Sequence, residues 1–221
     1  MSPDLSTRYL GLTLRSPLVA SASPLSGSLD SLRRLESAGA GAVVMQSLFE
    51  EQVEHDETQL HAALEAGAES YAEAITFFPE LDGYNSGPAA YLAHLEAAKR
   101  ALSIPVIGSL NGHSAGGWTR YARLMQEAGA DAVELNAYFV ATDPDQDAAD
   151  VEERYLELVA NVRAAISVPL AVKLGPYFTS LPNLAGRMVE VGADGLVLFN
   201  RFLHPDLDLD RLGVVPALHL S

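Results

Sequence analysis

Leu170-Ala171-Val172-Lys173-Leu174-Gly175-Pro176-Tyr177 contains a short buried strand with a cation inside it. The first five residues put apolar side chains on both faces, while Pro169 in front and Gly175-Pro176 behind are breakers that bound the run. Lys173 is the anomaly. An ammonium is costly to bury unpaired, so it must be neutralised, paired, or aimed at an anionic or electron-rich ligand. Two readings stand. Either Lys173 snorkels to the strand's end or pairs with a structural carboxylate, or it is a site residue at the carboxyl end of a parallel strand, where α/β folds place ligands.

Outward from that strand, one pattern recurs. Leu35-Glu-Ser-Ala-Gly-Ala-Gly-Ala-Val-Val-Met45, Met125-Gln-Glu-Ala-Gly-Ala-Asp-Ala-Val-Glu-Leu135 and Met188-Val-Glu-Val-Gly-Ala-Asp-Gly-Leu-Val-Leu198 align. Each reads as the last turn of a helix, a glycine stop (Gly39, Gly129, Gly192) and an apolar strand. A second strand type starts after proline: Pro17-Leu-Val-Ala-Ser21, Pro105-Val-Ile-Gly-Ser109 and Pro169-Leu-Ala-Val-Lys173. Interleaved, they predict six strands near 17–22, 42–47, 105–110, 132–137, 170–174 and 195–200. Helical patterns cover 28–38, with Ser28 as cap, then 88–101, 115–128, 150–166 and a shorter run near 182–191. Strand-helix alternation predicts an α/β fold with a parallel sheet. Repeated units of one kind favour a TIM (β/α)8 barrel type, with about six of the eight units present. The expected organisation is a single, partial TIM-barrel domain over 1–221. Residues 49–87 form a long βα-loop insert on the catalytic face, and 201–221 a tail, with one short strand expected at 217–220, where units seven and eight would begin.

Composition bounds the function classes. A chain of 221 residues, 48% hydrophobic and 19% charged, has the balance of a soluble globular domain. With no cysteine there is no disulfide framework, thiolate metal site or catalytic thiol, and a reducing compartment is the natural expectation. The start, Met1-Ser-Pro-Asp-Leu5, has neither a basic nor an apolar leader region, and no run reaches the roughly 18 apolar residues of a membrane span, so a cytoplasmic location is expected. The net charge of −15, from 29 acidic and 14 basic residues, repels phosphate backbones and anionic lipid. The expected partner is a small-molecule substrate, not nucleic acid or membrane, with a homo-oligomer left open.

The strand ends carry the polar residues, and barrel chemistry lives there. They read Ala22-Ser23, Gln46-Ser47, Asn111-Gly112, Asn136, Lys173 and Asn200. Singly, each asparagine is a turn residue or cap as readily as a ligand. Together, at equivalent positions, they suit the edge of a heterocycle, because an amide offers donors and an acceptor without charge.

Val172-Lys173-Leu174-Gly175-Pro176-Tyr177-Phe178, with Glu134-Leu135-Asn136, Asn85-Ser86-Gly87 and Ala20-Ser21-Ala22-Ser23, resembles the class 1 dihydroorotate dehydrogenase family of FMN-dependent barrels. Gln46-Ser-Leu-Phe-Glu-Glu-Gln52 is closer still to the dihydroorotate dehydrogenase-like proteins of that family. The resemblance covers nearly the whole chain but only about the first two thirds of a family member. It implies an FMN-dependent oxidoreductase acting on a CH-CH group of a dihydropyrimidine-like substrate, in pyrimidine biosynthesis. By the same resemblance Lys173 would lie against the flavin and stabilise its anionic reduced form. Ala22, Ser23, Gln46, Ser47, Asn111 and Asn136 would complete the cofactor site, and Asn85, Asn136 and Asn200 would hold the substrate.

This sequence departs from the family in three places. The catalytic base, a Cys or Ser three residues after the asparagine matching Asn136, is Phe139 here, which accepts no proton, so the catalytic residue is unassigned. The second-strand lysine is Gln46. The glycine-rich units seven and eight that bind the FMN phosphate have no counterpart. Two alternatives accompany the flavin reading: a Schiff-base lyase using Lys173, and a truncated non-catalytic barrel fragment or oligomer-forming relative. Asp143-Pro-Asp-Gln-Asp-Ala-Ala-Asp150 imitates half of a calcium loop, but Ala148 and Arg154 break the pattern, so a solvated loop capping the next helix is expected. The six histidines, among them His94 and His113, have no ligand spacing, and no metal is expected.

Overall fold

The computed structural model describes residues 3–49, 88–111, 115–139 and 141–200, together with the backbone of 204–208 and 213–217. Its centre is a parallel sheet of β3 (Val19–Ala20), β4 (Ala42–Val44), β6 (Val106–Asn111), β7 (Ala132–Asn136), β8 (Leu170–Leu174) and β9 (Gly195–Leu198), adjacent in that order. A short β5 (Leu48–Phe49) prolongs the second strand and also pairs with β6. Between them run α1 (Leu29–Ser37), α2 (Pro88–Ala101), α3 (Ala115–Glu127), α4 (Ala148–Ala165) and α5 (Leu181–Glu190). All six expected strands and all five expected helices are present, most with tighter ends.

The punctuation works as the chain chemistry dictates. Gly39, Gly129 and Gly192 follow α1, α3 and α5 with φ of 101°, 91° and 114°, a region open to glycine and strained for other residues. Ser28 caps α1 by accepting from the Ser31 amide. Asp147 and Asp150 form a reciprocal capping box at the start of α4, which gives the acidic loop its role.

Side chains alternate across the sheet. Val43, Met45, Val106, Leu110, Val133, Leu135, Leu170, Val172 and Leu174 pack with the helices in the main core. Ala42, Val44, Ile107, Ala132 and Ala171 face the other way, into a smaller cluster that holds no helix residue. Among the described residues helices cover one face only, and neighbouring strands are consecutive in the chain. That is the winding of a barrel, not of an open doubly wound sheet.

Two antiparallel hairpins were not foreseen. β1 (Thr7–Tyr9) and β2 (Leu12–Leu14) turn at Leu10-Gly11, where both φ values are positive (52° and 74°), as a tight two-residue hairpin loop requires. This hairpin fills the helix-free face, with Leu10 and Leu14 buried among its alanines and valines. Side chains of the first strand region (Val19, Ser21) and the last strand (Val197) line one cavity of about 360 Å³, so the sheet curls into a half-barrel. β10 (His204–Asp208) and β11 (Gly213–Ala217) form the second hairpin. The tail was expected to be a loop with one strand at 217–220. Paired backbone instead occupies 204–208 and 213–217, and the rest of the tail, 218–220 included, lies outside the described residues. The parallel sheet is open, and the closed eight-unit count is not reached among the described residues. No helix among them is long and apolar enough to cross a membrane.

Candidate active site

The alternation that fills the helix-free face with small residues also sends Glu134, Asn136 and Lys173 there, because they share parity with Ala132 and Ala171. Registry brings them together: Asn136 lies opposite Lys173, which lies opposite Val197 on the other side. Lys173 is the cation in the apolar strand, its side chain only 14% exposed. Its Nζ stands 3.5 Å from Oε1 of Glu134, whose side chain is 5% exposed. That distance gives attraction, but Oε1 accepts no hydrogen bond, and neither does the buried Oδ1 of Asn136. Two buried side-chain acceptors, one of them ion-paired with Lys173, thus share the sheet face that carries its ammonium, and a ligand that supplies N–H groups would satisfy what they lack.

Burial raises the Glu134 carboxyl above its ordinary value of 4.5, and the Lys173 ammonium offsets only part of that rise. Tyr9, from the hairpin, is raised by burial first and by the Glu134 charge second. Glu134 lines the 360 Å³ cavity with Thr7, Arg8, Tyr9, Ser21, Val44 and Val197. The cavity lies deeper in the half-barrel than the strand-end residues singled out from sequence, none of which is among its lining residues.

Those strand-end residues are placed unevenly. Ala22 packs partly buried against the helix-free cluster, and Ser23 precedes the short 3-10 turn Pro24–Ser26, its carbonyl accepting from the Ser26 amide and hydroxyl. The Gln46 side-chain oxygen sits 3.2 Å from where a Cβ on Gly27 would stand. Ser47 is already engaged, its hydroxyl 2.8 Å from that of the fully buried Ser109. Asn111 ends β6, half-buried, and the backbone N–H of Asn200 donates to the Leu174 carbonyl at 2.6 Å. Asn85, His113 and all of the 49–87 insert beyond Phe49 lie outside the described residues. Among the remaining histidines, the His94 ring is bonded to the Ser26 carbonyl at 3.1 Å.

Phe139 turns outward. Its ring stacks edge-on with Tyr155 of α4 at 4.7 Å, under the Arg154 guanidinium at 4.2 Å, so it packs on the helical layer. Glu134 is the residue that sequence reasoning passed over. A charge at the core parity of Ala132-Val133-Glu134-Leu135 was the available signal, the same one that exposed Lys173.

The ring portion of an FMN fits this chemistry. An isoalloxazine edge offers an N–H to acceptors and carbonyl oxygens to an ammonium, matching Asn136 Oδ1 and Lys173.

Comparison with known proteins gives the site a context. No family model matches the chain. The chain is 30% identical over 209 residues to a protein from Methanocella arvoryzae named dihydroorotate dehydrogenase B (NAD(+)), catalytic subunit, covering 90% of this chain and 63% of that protein. It is 30% identical over 212 residues to a putative dihydroorotate dehydrogenase A (fumarate) from Aeropyrum pernix, covering 94% and 65%. A Thermoplasma acidophilum dihydroorotate dehydrogenase B catalytic subunit is 30% identical over 215 residues, covering 93% and 65%. The chain thus spans just under two thirds of these relatives' lengths. Among solved structures, a phosphonopyruvate hydrolase complex with oxalate and Mg++ aligns with TM-score 0.49 at 16% identity, covering 86% of this chain and 61% of the other. A putative dihydrodipicolinate synthetase from Pseudomonas aeruginosa aligns with TM-score 0.46 at 17% identity, covering 78% and 51%.

Proposed function

We infer the activity from the chain's similarity to dihydroorotate dehydrogenases along nearly its whole length: an FMN-dependent oxidoreductase acting on a CH-CH group of a small dihydropyrimidine-like ring, on an eight-unit barrel plan. The observation that carries this reading is the Lys173 ammonium in an apolar strand, on the same sheet face as the buried acceptors of Glu134 and Asn136.

FMN, when bound, supplies the two-electron acceptor that no side chain provides. Lys173 would offer its positive charge to the reduced ring, in surroundings that screen it weakly. Asn136 and Asn111 would orient the ring and substrate edges by amide hydrogen bonds, and Ala22 and Ser23 would shape the wall beside them. Asn200, and Asn85 from the segment outside the described residues, would complete the substrate contacts. Phe139 takes no proton, so the base comes from another residue or from solvent.

Titration of the purified chain with FMN, followed by flavin fluorescence and visible absorbance, tests the reading. Saturable quenching is expected, and Lys173→Ala should weaken it by about tenfold or more, the scale of one lost charge-assisted contact. Flavin signals that stay those of free FMN up to high micromolar concentration would remove it. Dihydroorotate is the first substrate to try, by bleaching of the bound flavin without oxygen.

A further inference from the structure

Glu134 has no part in the chemistry above, yet it is the buried carboxyl nearest to Lys173. Its Oε1 lies 3.5 Å from Nζ without a hydrogen bond, and the other buried side-chain oxygen without one among the described residues is Asn136 Oδ1, on the same strand face two residues along. β8 sets Lys173 opposite Asn136. The face that carries the ammonium therefore holds two such acceptors, one ion-paired with it and one on the residue registered opposite it. The ion-paired one carries a charge that a proton can cancel.

We propose that Glu134 is a positioning residue for Lys173: ionised, it draws the ammonium down into the half-barrel, and protonated, it releases it to Asn136 and the strand-end site. The groups facing Glu134 are Lys173 from β8, Tyr9 and Arg8 from β1 and, at longer range, the buried Tyr91 from α2. Lys173 is the only one of them ion-paired to it. Tyr9 and Tyr91 are held neutral by burial, so the proton on Glu134 is the variable that changes across the acid-to-neutral range. The consequence for a flavin rests on the reading above. The coupling of Glu134 to Lys173 does not.

The chain has only two lysines, Lys99 and Lys173, which makes the test direct. Lys99 is tied to Asp131 at 2.6 Å, away from this face. In the full chain labelled with 13Cε,15Nζ-lysine, two side-chain signals are expected, assigned by Lys99→Arg. The Lys173 signal should move with an inflection above 4.5, the ordinary glutamate value. That inflection should shift in Glu134→Asp and vanish in Glu134→Gln, with the Lys99 signal unmoved by either change. The same Lys173 curve in the wild type and Glu134→Gln would overturn the proposal. If Glu134→Gln does not fold, an inflection unchanged in Glu134→Asp overturns it equally. Added FMN provides the separate arm: no movement of the Lys173 signal on addition sinks the flavin reading and leaves the Glu134 coupling standing.

Discussion

Glu134 folds at a cost that depends on pH. Its carboxyl is raised by burial in the folded chain, so folding takes up a proton in the window between 4.5 and the higher folded value. The stability it contributes is complete below the unfolded value and is lost as pH rises through the folded one. Thermal melts of the wild type and Glu134→Gln should therefore diverge with pH. The Tm difference, variant minus wild type, should grow more positive from about pH 4.5 to pH 8. A constant difference would mean that the carboxyl titrates alike in both states. Lys173 was legible in the sequence because a charge interrupts an apolar run bounded by breakers. Glu134 emits the same signal, but Asn136 beside it drew the attention. The outward turn of Phe139 was not legible at all, since it depends on where α4 puts Tyr155 and Arg154, which no local pattern near Phe139 encodes.

At the scale of elements, the three helix-glycine-strand repeats are alike in sequence and differ in one informative place. Asp131 accepts from the Val106 amide at 2.7 Å and from Lys99, and Asp194 accepts from the Leu170 amide at 2.8 Å and from Arg163 at 2.9 Å. Each aspartate ties its loop to the start of the preceding strand. In the first repeat that position is Gly41, and a Cβ there would stand 2.0 Å from the Ser16 carbonyl oxygen, so the neighbouring backbone fills the space the carboxylate uses elsewhere. Asp131→Ala and Asp194→Ala should each lose about 1–3 kcal/mol in urea melts, because each leaves a strand amide without its acceptor. Gly41→Ala should lose at least as much despite deleting no bond, since backbone must move to admit the methyl. Six strands and five helices were readable because proline starts and glycine stops punctuate them. The β1–β2 hairpin was not, since its turn is Leu10-Gly11 in place of the usual Asn-Gly. A leucine at φ 52° is strained by roughly 1 kcal/mol, and burial of its side chain to 7% exposure holds it there.

Across the whole molecule, a net charge of −15 means that the folded chain repels itself. Raising salt from about 0.02 M to about 0.3 M shortens the screening length severalfold, and Tm should rise by a few degrees. A Tm that falls with salt would show that the few ion pairs outweigh the excess of acidic charge. The barrel class was legible from repeats, while the curl and the plug were not, because both depend on residues far apart in the chain. Leu10 rests on Gly195, where an added Cβ would lie 2.6 Å from the leucine methyl. That contact joins the turn between β1 and β2 to the last parallel strand among the described residues, about as non-local as this fold allows. Leu10→Ala should accordingly speed unfolding in stopped-flow chevrons and leave the refolding limb unchanged, as for a contact made after the barrier. On a ribosome the hairpin emerges well before Gly195, so the piece that seals the half-barrel waits on the last parallel strand to complete its seat.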